Sequence, residues 1–68
     1  MLKLKVRISY DKESKEWIAV SKNFDGLFLN SKESAKDLAE YVKETIPELL
    51  GVTKFHLIID IREDFYVG

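Results

Sequence analysis

Residues that could perform chemistry are sparse and scattered along this chain. His56 is the one histidine and there is no cysteine, so neither a thiolate metal site nor a histidine cluster is available. The glycines stand apart rather than in a phosphate-binding loop, and no serine lies in a Gly-x-Ser-x-Gly elbow. Asp60 lies in the last predicted strand without a carboxylate opposite it in the first. We therefore expect a protein that is not an enzyme, with no catalytic residue, cofactor or metal site.

Length and composition limit the architecture and the location. The 68 residues suit a single domain, residues 1–68, whose one small core buries about 60% of the surface of the unfolded chain. A hydrophobic content of 46% with 34% charged residues is typical of a globular domain. Lysine and arginine interrupt the N-terminal apolar residues, so we do not expect a signal peptide, and no apolar run reaches the ~18 residues of a membrane span. We expect a cytoplasmic protein that does not contact membranes.

The net charge of −1 conceals a gradient along the chain. Residues 1–22 carry six basic and three acidic side chains (+3), whereas residues 23–68 carry five basic and nine acidic ones (−4). A nucleic-acid-binding protein usually has a concentrated basic surface, and this excess is slight. The pattern favours a mixed solvated surface. A small nucleic-acid-binding module that uses Lys3, Lys5 and Arg7 remains the alternative.

Three strands are predicted before the middle of the chain. Residues 2–10 alternate between apolar and polar side chains, which indicates a half-buried strand. Residues 11–16 are polar and suit a hairpin loop built around a type I turn, and residues 17–21 form the returning strand. Asp25 and Gly26 make a strong turn pair before a short third strand, residues 27–29.

A helix should follow from Ser34 to Leu50. Ser34 and Asp37 are spaced as a capping box, although Ser31 offers an alternative start. An apolar stripe recurs at helical spacing along this segment: Leu38, Val42, Thr45 and Leu49, flanked by Ala35, Ala39 and Ile46. Pro47 should kink the helix or make it restart with Thr45 and Glu48 as the new cap, and Gly51 should end it.

The remaining residues complete an α+β fold in the order β-β-β-α-β. Residues 55–62 alternate as a last strand, and a tail of residues 63–68 contains Phe65, Tyr66 and Val67, which could pack or pair. Two hairpins followed by a right-handed crossover favour a mixed four-stranded sheet in the order 3-2-1-4, with the helix on one face.

The uncovered sheet face is the predicted interaction surface. If Trp17 and Ala19 face the helix, then Ile18, Val20 and Ile58 point outward. They would form an apolar patch of the kind that marks protein contacts, with a basic rim: Lys3, Lys5, Arg7, His56 and Arg62. The opposite facing of the second strand would bury Ile18 and Val20 and expose Trp17 instead.

From this facing we select six candidate partner-binding residues: Lys5, Arg7, Ile18, Val20, Ile58 and Arg62. A symmetric homodimer through the uncovered face would bury part of this patch, and twofold dimers are the commonest closed assembly. Pairing through the short third strand is the competing dimer geometry.

The predicted topology resembles the first half of a ribonuclease H fold. Nucleases of that fold hold metal ions with acidic side chains in the first strand, the helix and the fourth strand. The first strand here carries Lys3, Lys5 and Arg7 instead, and a cation site cannot form beside three positive charges. We therefore do not expect metal-dependent nuclease activity.

Several short motifs, in this order and spacing, resemble the HicB-like antitoxin domains, including their stand-alone members of unknown function. The shared features are an aromatic-x-Ala strand, a Gly-Leu turn, a serine helix cap with an acidic residue in the first turn, and a helix ending in Pro-Glu-Leu-Leu: Trp17, Ala19, Gly26, Leu27, Ser34, Asp37 and residues 47–50. Asp25 stands where those domains carry proline, and the interval from Gly26 to Ser34 is one residue longer.

The resemblance implies a partial ribonuclease-H-like fold and a domain that binds proteins. HicB antitoxins neutralise a small basic toxin, HicA, which cleaves messenger RNA. Full HicB proteins add a C-terminal DNA-binding module, for which these 68 residues leave no room, so we do not expect autoregulation through DNA. The resemblance favours a toxin-neutralising antitoxin or a solitary descendant of one.

Overall fold

The computed structural model describes residues 2–62. They form strand β1 (Lys3–Asp11), strand β2 (Glu16–Ser21), strand β3 (Phe28–Ser31), helix α1 (Ala35–Leu50) and strand β4 (His56–Arg62). Strand β1 pairs antiparallel with β2 and parallel with β4, and β2 pairs antiparallel with β3. Within the described residues this is a mixed four-stranded sheet in the order 3-2-1-4, which confirms the predicted α+β fold. The predicted packing of Phe65, Tyr66 and Val67 falls outside the described residues.

Strand β1 divides the sheet into an apolar and a polar face. Leu4, Val6 and Ile8 are almost fully buried beneath the helix. Lys5 and Arg7 alternate with them and therefore lie on the other face, because successive side chains of a strand point to opposite sides. Ala19 of β2 is also buried in the core, and a side chain this small allows close packing at that position.

Helix α1 begins where the sequence predicts. The Ser34 hydroxyl oxygen accepts a hydrogen bond from the Asp37 backbone N–H at 3.1 Å, so Ser34 is the N-cap. Ser31 is the last residue of β3, and its hydroxyl accepts instead from the Glu33 N–H, at 3.1 Å. Leu38 follows the cap by one turn and is fully buried.

The end of the helix corrects the prediction that the helix restarts at Pro47 with a Thr45 cap. The helix continues through Pro47 to Leu50, and Thr45 does not cap a new segment, because its hydroxyl donates to the Tyr41 carbonyl at 2.8 Å. Ile46 is fully buried and Leu50 packs against the core, so tertiary packing holds the chain helical on both sides of the proline.

The buried stripe of the helix runs at a spacing of four residues: Leu38, Val42 and Ile46. Leu49, predicted to continue this stripe, is exposed and lies beside Gly26 of the loop before β3. Gly51 ends the helix as predicted, with a φ of 68° and its N–H donating to the Pro47 carbonyl at 2.9 Å.

Asn23 ties the loop between β2 and β3 to strand β1. Its side-chain oxygen accepts from the Lys5 backbone N–H at 2.8 Å, and its side-chain nitrogen donates to the Lys3 carbonyl at 2.9 Å. The carboxamide thus continues the backbone pairing of β1 beyond the end of β2. The sequence pattern gave Asn23 only a place in a turn, since this role depends on a contact 18 residues away.

No helix within residues 2–62 combines the length and the apolar character needed to cross a membrane.

The helix assignment can be tested with matched substitutions in its first turns. Leu38→Ala should lower the free energy of unfolding by about 2–5 kcal/mol because it truncates a fully buried side chain. Ser34→Ala should cost about 1 kcal/mol through loss of the cap. Lys36→Ala, at an exposed position between them, is the control and should change little. Denaturant melts that rank these three variants differently would contradict the assignment.

Candidate partner-binding face

The sheet surface that faces away from α1, here called the open face, carries all six predicted binding residues. Residues paired directly across strands point to the same side of a sheet. Arg7 is paired with Val20, Lys5 with Ile58, and Ser9 with both Ile18 and Arg62. Because Ala19 lies in the core, its neighbours in β2 face outward. The preferred facing of the second strand is therefore the observed one, and Ile18 and Val20 lie on the open face.

A short apolar strip crosses β2 and β3 on this face. Phe28 pairs with Val20 and is 67% exposed, and Ile18 follows Val20 on the same side of β2. Sequence reasoning missed Phe28 as a candidate. The signal in the sequence was strand alternation. Leu27 is buried and Leu29 packs against the core, so Phe28 between them must point to the opposite face.

Three of the five basic residues predicted at the rim of the open face lie in its middle instead, whereas His56 and Arg62 lie on the edge strand β4. Strand β1 lies between β2 and β4, and its outward residues include Lys3, Lys5 and Arg7. Ile58 of β4 lies beyond this basic row, so it is separated from the apolar strip of Ile18, Val20 and Phe28. The prediction of a single apolar patch inside a basic rim was therefore wrong. The sheet order and the alternation of β1 together divide it.

Asp60 gathers two arginines at one side of the face. Its Oδ2 atom accepts a hydrogen bond from Nε of Arg62 at 3.2 Å and lies 3.6 Å from Nε of Arg7. The Arg7 Nε is shielded from solvent and has no hydrogen-bond partner among the described residues, although 34% of its side chain is exposed. Exposed ion pairs contribute only about 0–1 kcal/mol each. The consequence of this cluster is that both guanidinium groups lie near one carboxylate on the open face.

The acidic groups on the open face are concentrated away from Lys3 and Lys5. Glu16 begins β2, and its Oε2 accepts from the Asn30 side-chain nitrogen at 3.1 Å. Asp60 is engaged by the two arginines described above. Lys3 and Lys5 form no ion pair among residues 2–62. The end of the face around these two lysines is therefore electropositive.

Groups with catalytic potential do not converge in the described residues. Among residues 2–62, no three histidine, cysteine, aspartate or glutamate side chains are placed to hold a metal ion. His56 is exposed and is paired in register with Lys3. The residue directly opposite Asp60 on β1 is Arg7, so the position that would carry the second carboxylate of a nuclease site carries a positive charge.

The comparisons with known proteins identify one family. A family model described as a domain of unknown function, DUF1902, matches residues 3–63. The chain belongs to the DUF1902 family. No curated protein and no solved structure matches it. The matched span of this DUF1902 domain includes β1 to β4, and therefore the whole of the open face.

Neighbouring substitutions in the DUF1902 domain test the facing of β3. Leu27→Ala should destabilise the domain by about 2–5 kcal/mol, because Leu27 is 4% exposed and part of the core. Phe28→Ala should cost less than about 1 kcal/mol, because it removes only a solvent-exposed cross-strand contact with Val20. Thermal or urea unfolding measures both variants. A larger loss for Phe28→Ala would show that its ring is buried.

Proposed function

We propose that this DUF1902 domain is a non-enzymatic protein-binding module and that the open face is its contact surface. The observation that carries the proposal is Phe28, 67% exposed beside Val20 and Ile18 on a sheet face that α1 does not cover. Arg7 and Arg62 lie across the same face. Aromatic residues, including phenylalanine, and arginine are enriched at protein interfaces, and arginine is also among the residues that dominate binding energy there.

The finer proposal is a HicB-like antitoxin, or a solitary descendant of one, acting in the cytoplasm. Its support is the resemblance carried by the aromatic-x-Ala strand, the serine cap and the Pro-Glu-Leu-Leu helix end. The corresponding structural features are present as β2, the Ser34 cap and the end of α1. The partner is then a small basic messenger-RNA interferase of the HicA type.

The charge of the open face sets a condition on that partner. Lys3, Lys5 and the two arginines outnumber the acidic groups beside them, and like charges brought together at an interface oppose binding. The toxin surface that meets the open face must therefore be apolar or acidic, even if the toxin as a whole is basic.

A cleavage assay tests the antitoxin proposal and locates the contact. A purified HicA-type interferase encoded in the same genome is incubated with RNA and increasing amounts of this domain. Wild type should suppress cleavage, and Phe28→Asp should need at least about tenfold more protein for the same effect because it places a charge in the apolar contact. The control is Glu44→Gln, an exposed substitution on the helix side.

The outcomes test the antitoxin function and the contact surface separately. Undiminished cleavage with wild type would contradict the antitoxin function. Suppression that survives Phe28→Asp but is lost with Glu44→Gln would contradict the open face as the contact surface. Circular dichroism confirms that both variants are folded before either result is used.

The alternative is a nucleic-acid-binding module, and the outward row of Lys3, Lys5 and Arg7 on β1 is the observation that favours it. Binding through phosphates weakens steeply as salt rises. Gel shifts with single-stranded RNA between about 50 and 200 mM salt distinguish the two functions. The protein-binding proposal expects no shift at the higher salt, whereas a tight, steeply salt-dependent complex that is lost in Lys5→Glu would favour the alternative.

The non-enzymatic character has its own test. The purified protein should not cleave RNA, DNA or RNA–DNA hybrids with Mg²⁺ or Mn²⁺ added, because Arg7 occupies the position opposite Asp60. Asp60→Asn is the diagnostic variant. Metal-dependent cleavage by wild type that disappears in Asp60→Asn would overturn this part of the proposal.

A further inference from the structure

We propose that two copies of this chain associate through strand β4, which pairs antiparallel with β4 of the second copy around a twofold axis at Ile59. The inference concerns the edge of the sheet and does not depend on what the open face binds. It assigns self-association to a surface other than the open face and the third strand.

Strand β4 is the longer edge of the described sheet. Within residues 2–62 it pairs only with β1, over the seven residues His56–Arg62. The other edge, β3, has only four residues. Very short edge strands resist pairing with another chain, whereas long apolar edges invite it.

The backbone of β4 offers groups in the right alternation. The His56 N–H donates towards β1, to the Leu2 carbonyl at 2.7 Å. Because successive backbone groups of a strand point to alternate sides, the N–H and C=O groups of Leu57, Ile59 and Ile61 point to the free edge. A twofold axis at Ile59 pairs Ile59 with Ile59 of the second copy, and Leu57 with Ile61 of the second copy. Each of these residues would then donate one backbone hydrogen bond to the second copy and accept one from it.

The side chains fit the same register. Leu57, Ile59 and Ile61 lie on the helix side of the sheet, since they pair with Leu4, Val6 and Ile8 of the core. Ile61 is nevertheless 47% exposed, because α1 does not cover it completely. The twofold axis would place Ile61 against Leu57 of the second copy. The apolar side chains of the two β4 strands would then form one row that connects the two cores. A twofold perpendicular to the sheet also keeps both helices on the same face.

The charged residues of β4 do not block this edge. Charged side chains on an edge strand commonly prevent pairing with another chain. Here the Asp60 carboxylate is drawn towards Arg7 of β1, at 3.6 Å, and towards Arg62, at 3.2 Å. Its negative charge is therefore compensated by arginines of the same protomer and does not depend on the second copy.

The open face is less suited to a symmetric contact. A twofold interface places the same surface of both copies together. The open face would therefore bring the Lys3, Lys5 and Arg7 rows of two protomers towards each other, and like charges in contact oppose association. This leaves the open face available to a different partner.

Sedimentation equilibrium of the full chain, from about 1 µM to about 1 mM, tests the inference. Wild type should reach twice the chain mass of 7.9 kDa. Ile61→Pro removes an edge-facing N–H but no bond to β1, and proline is tolerated at such edge positions. It should weaken dimerisation at least about tenfold. Ile61→Val keeps the N–H and a similar side chain and should still dimerise.

A second variant distinguishes the interfaces. Ile18→Lys combined with Val20→Glu alters the open face and should leave the dimer intact. Wild type that stays monomeric throughout, or a dimer that survives Ile61→Pro but is lost in the open-face variant, would overturn the proposal.

Hydrogen exchange gives an independent readout if Ile61→Pro does not fold. In wild type, the amides of Leu57, Ile59 and Ile61 should exchange more slowly at high than at low protein concentration, while the Lys12 amide in the hairpin turn should not change. Equal exchange at both concentrations would contradict pairing through β4.

Discussion

The alternation of strand β1 is the constraint on which the rest of this structure depends. Its inward residues Leu4, Val6 and Ile8 form the floor of the core on which α1 packs. Its outward residues, among them Lys5 and Arg7, polarise the opposite face. Because β1 pairs with both β2 and β4, a shift of one residue in its register would place lysines beneath the helix. That would bury unpaired charges, so one register is strongly preferred.

This central position also divides the surfaces that are free to interact. The apolar strip of Ile18, Val20 and Phe28 lies on one side of the basic row, and β4 lies on the other. The two sides differ in chemistry. The apolar strip contains one exposed aromatic ring, Phe28, whereas β4 is an edge strand with alternating apolar residues. The surface that we propose for protein binding and the surface that we propose for self-association are therefore separate.

Polar side chains hold the ends of this arrangement in place. Asn23 continues the pairing of β1 after β2 has ended, through hydrogen bonds to the backbone of Lys3 and Lys5. Asp60 draws Arg7 and Arg62 together on the open face. Both contacts join residues that are far apart in sequence to β1. They connect the loop after β2 and strand β4 to the strand that carries the basic row.

The sequence by itself determined the element order and the sheet order, and it favoured the Ser34 cap and the placement of six candidate residues on one face over the alternatives. These follow from strong local patterns: the period-two alternation of β1, the spacing of Ser34 and Asp37, and the handedness of a β-α-β crossover. Tertiary structure alone decided three other features. The helix passes through Pro47 because the packing of Ile46 and Leu50 outweighs a local breaker, and Asn23 acts on a strand 18 residues away. The facing of β2, which the sequence left open, is decided by the burial of Ala19 in the core, so that Ile18 and Val20 face outward.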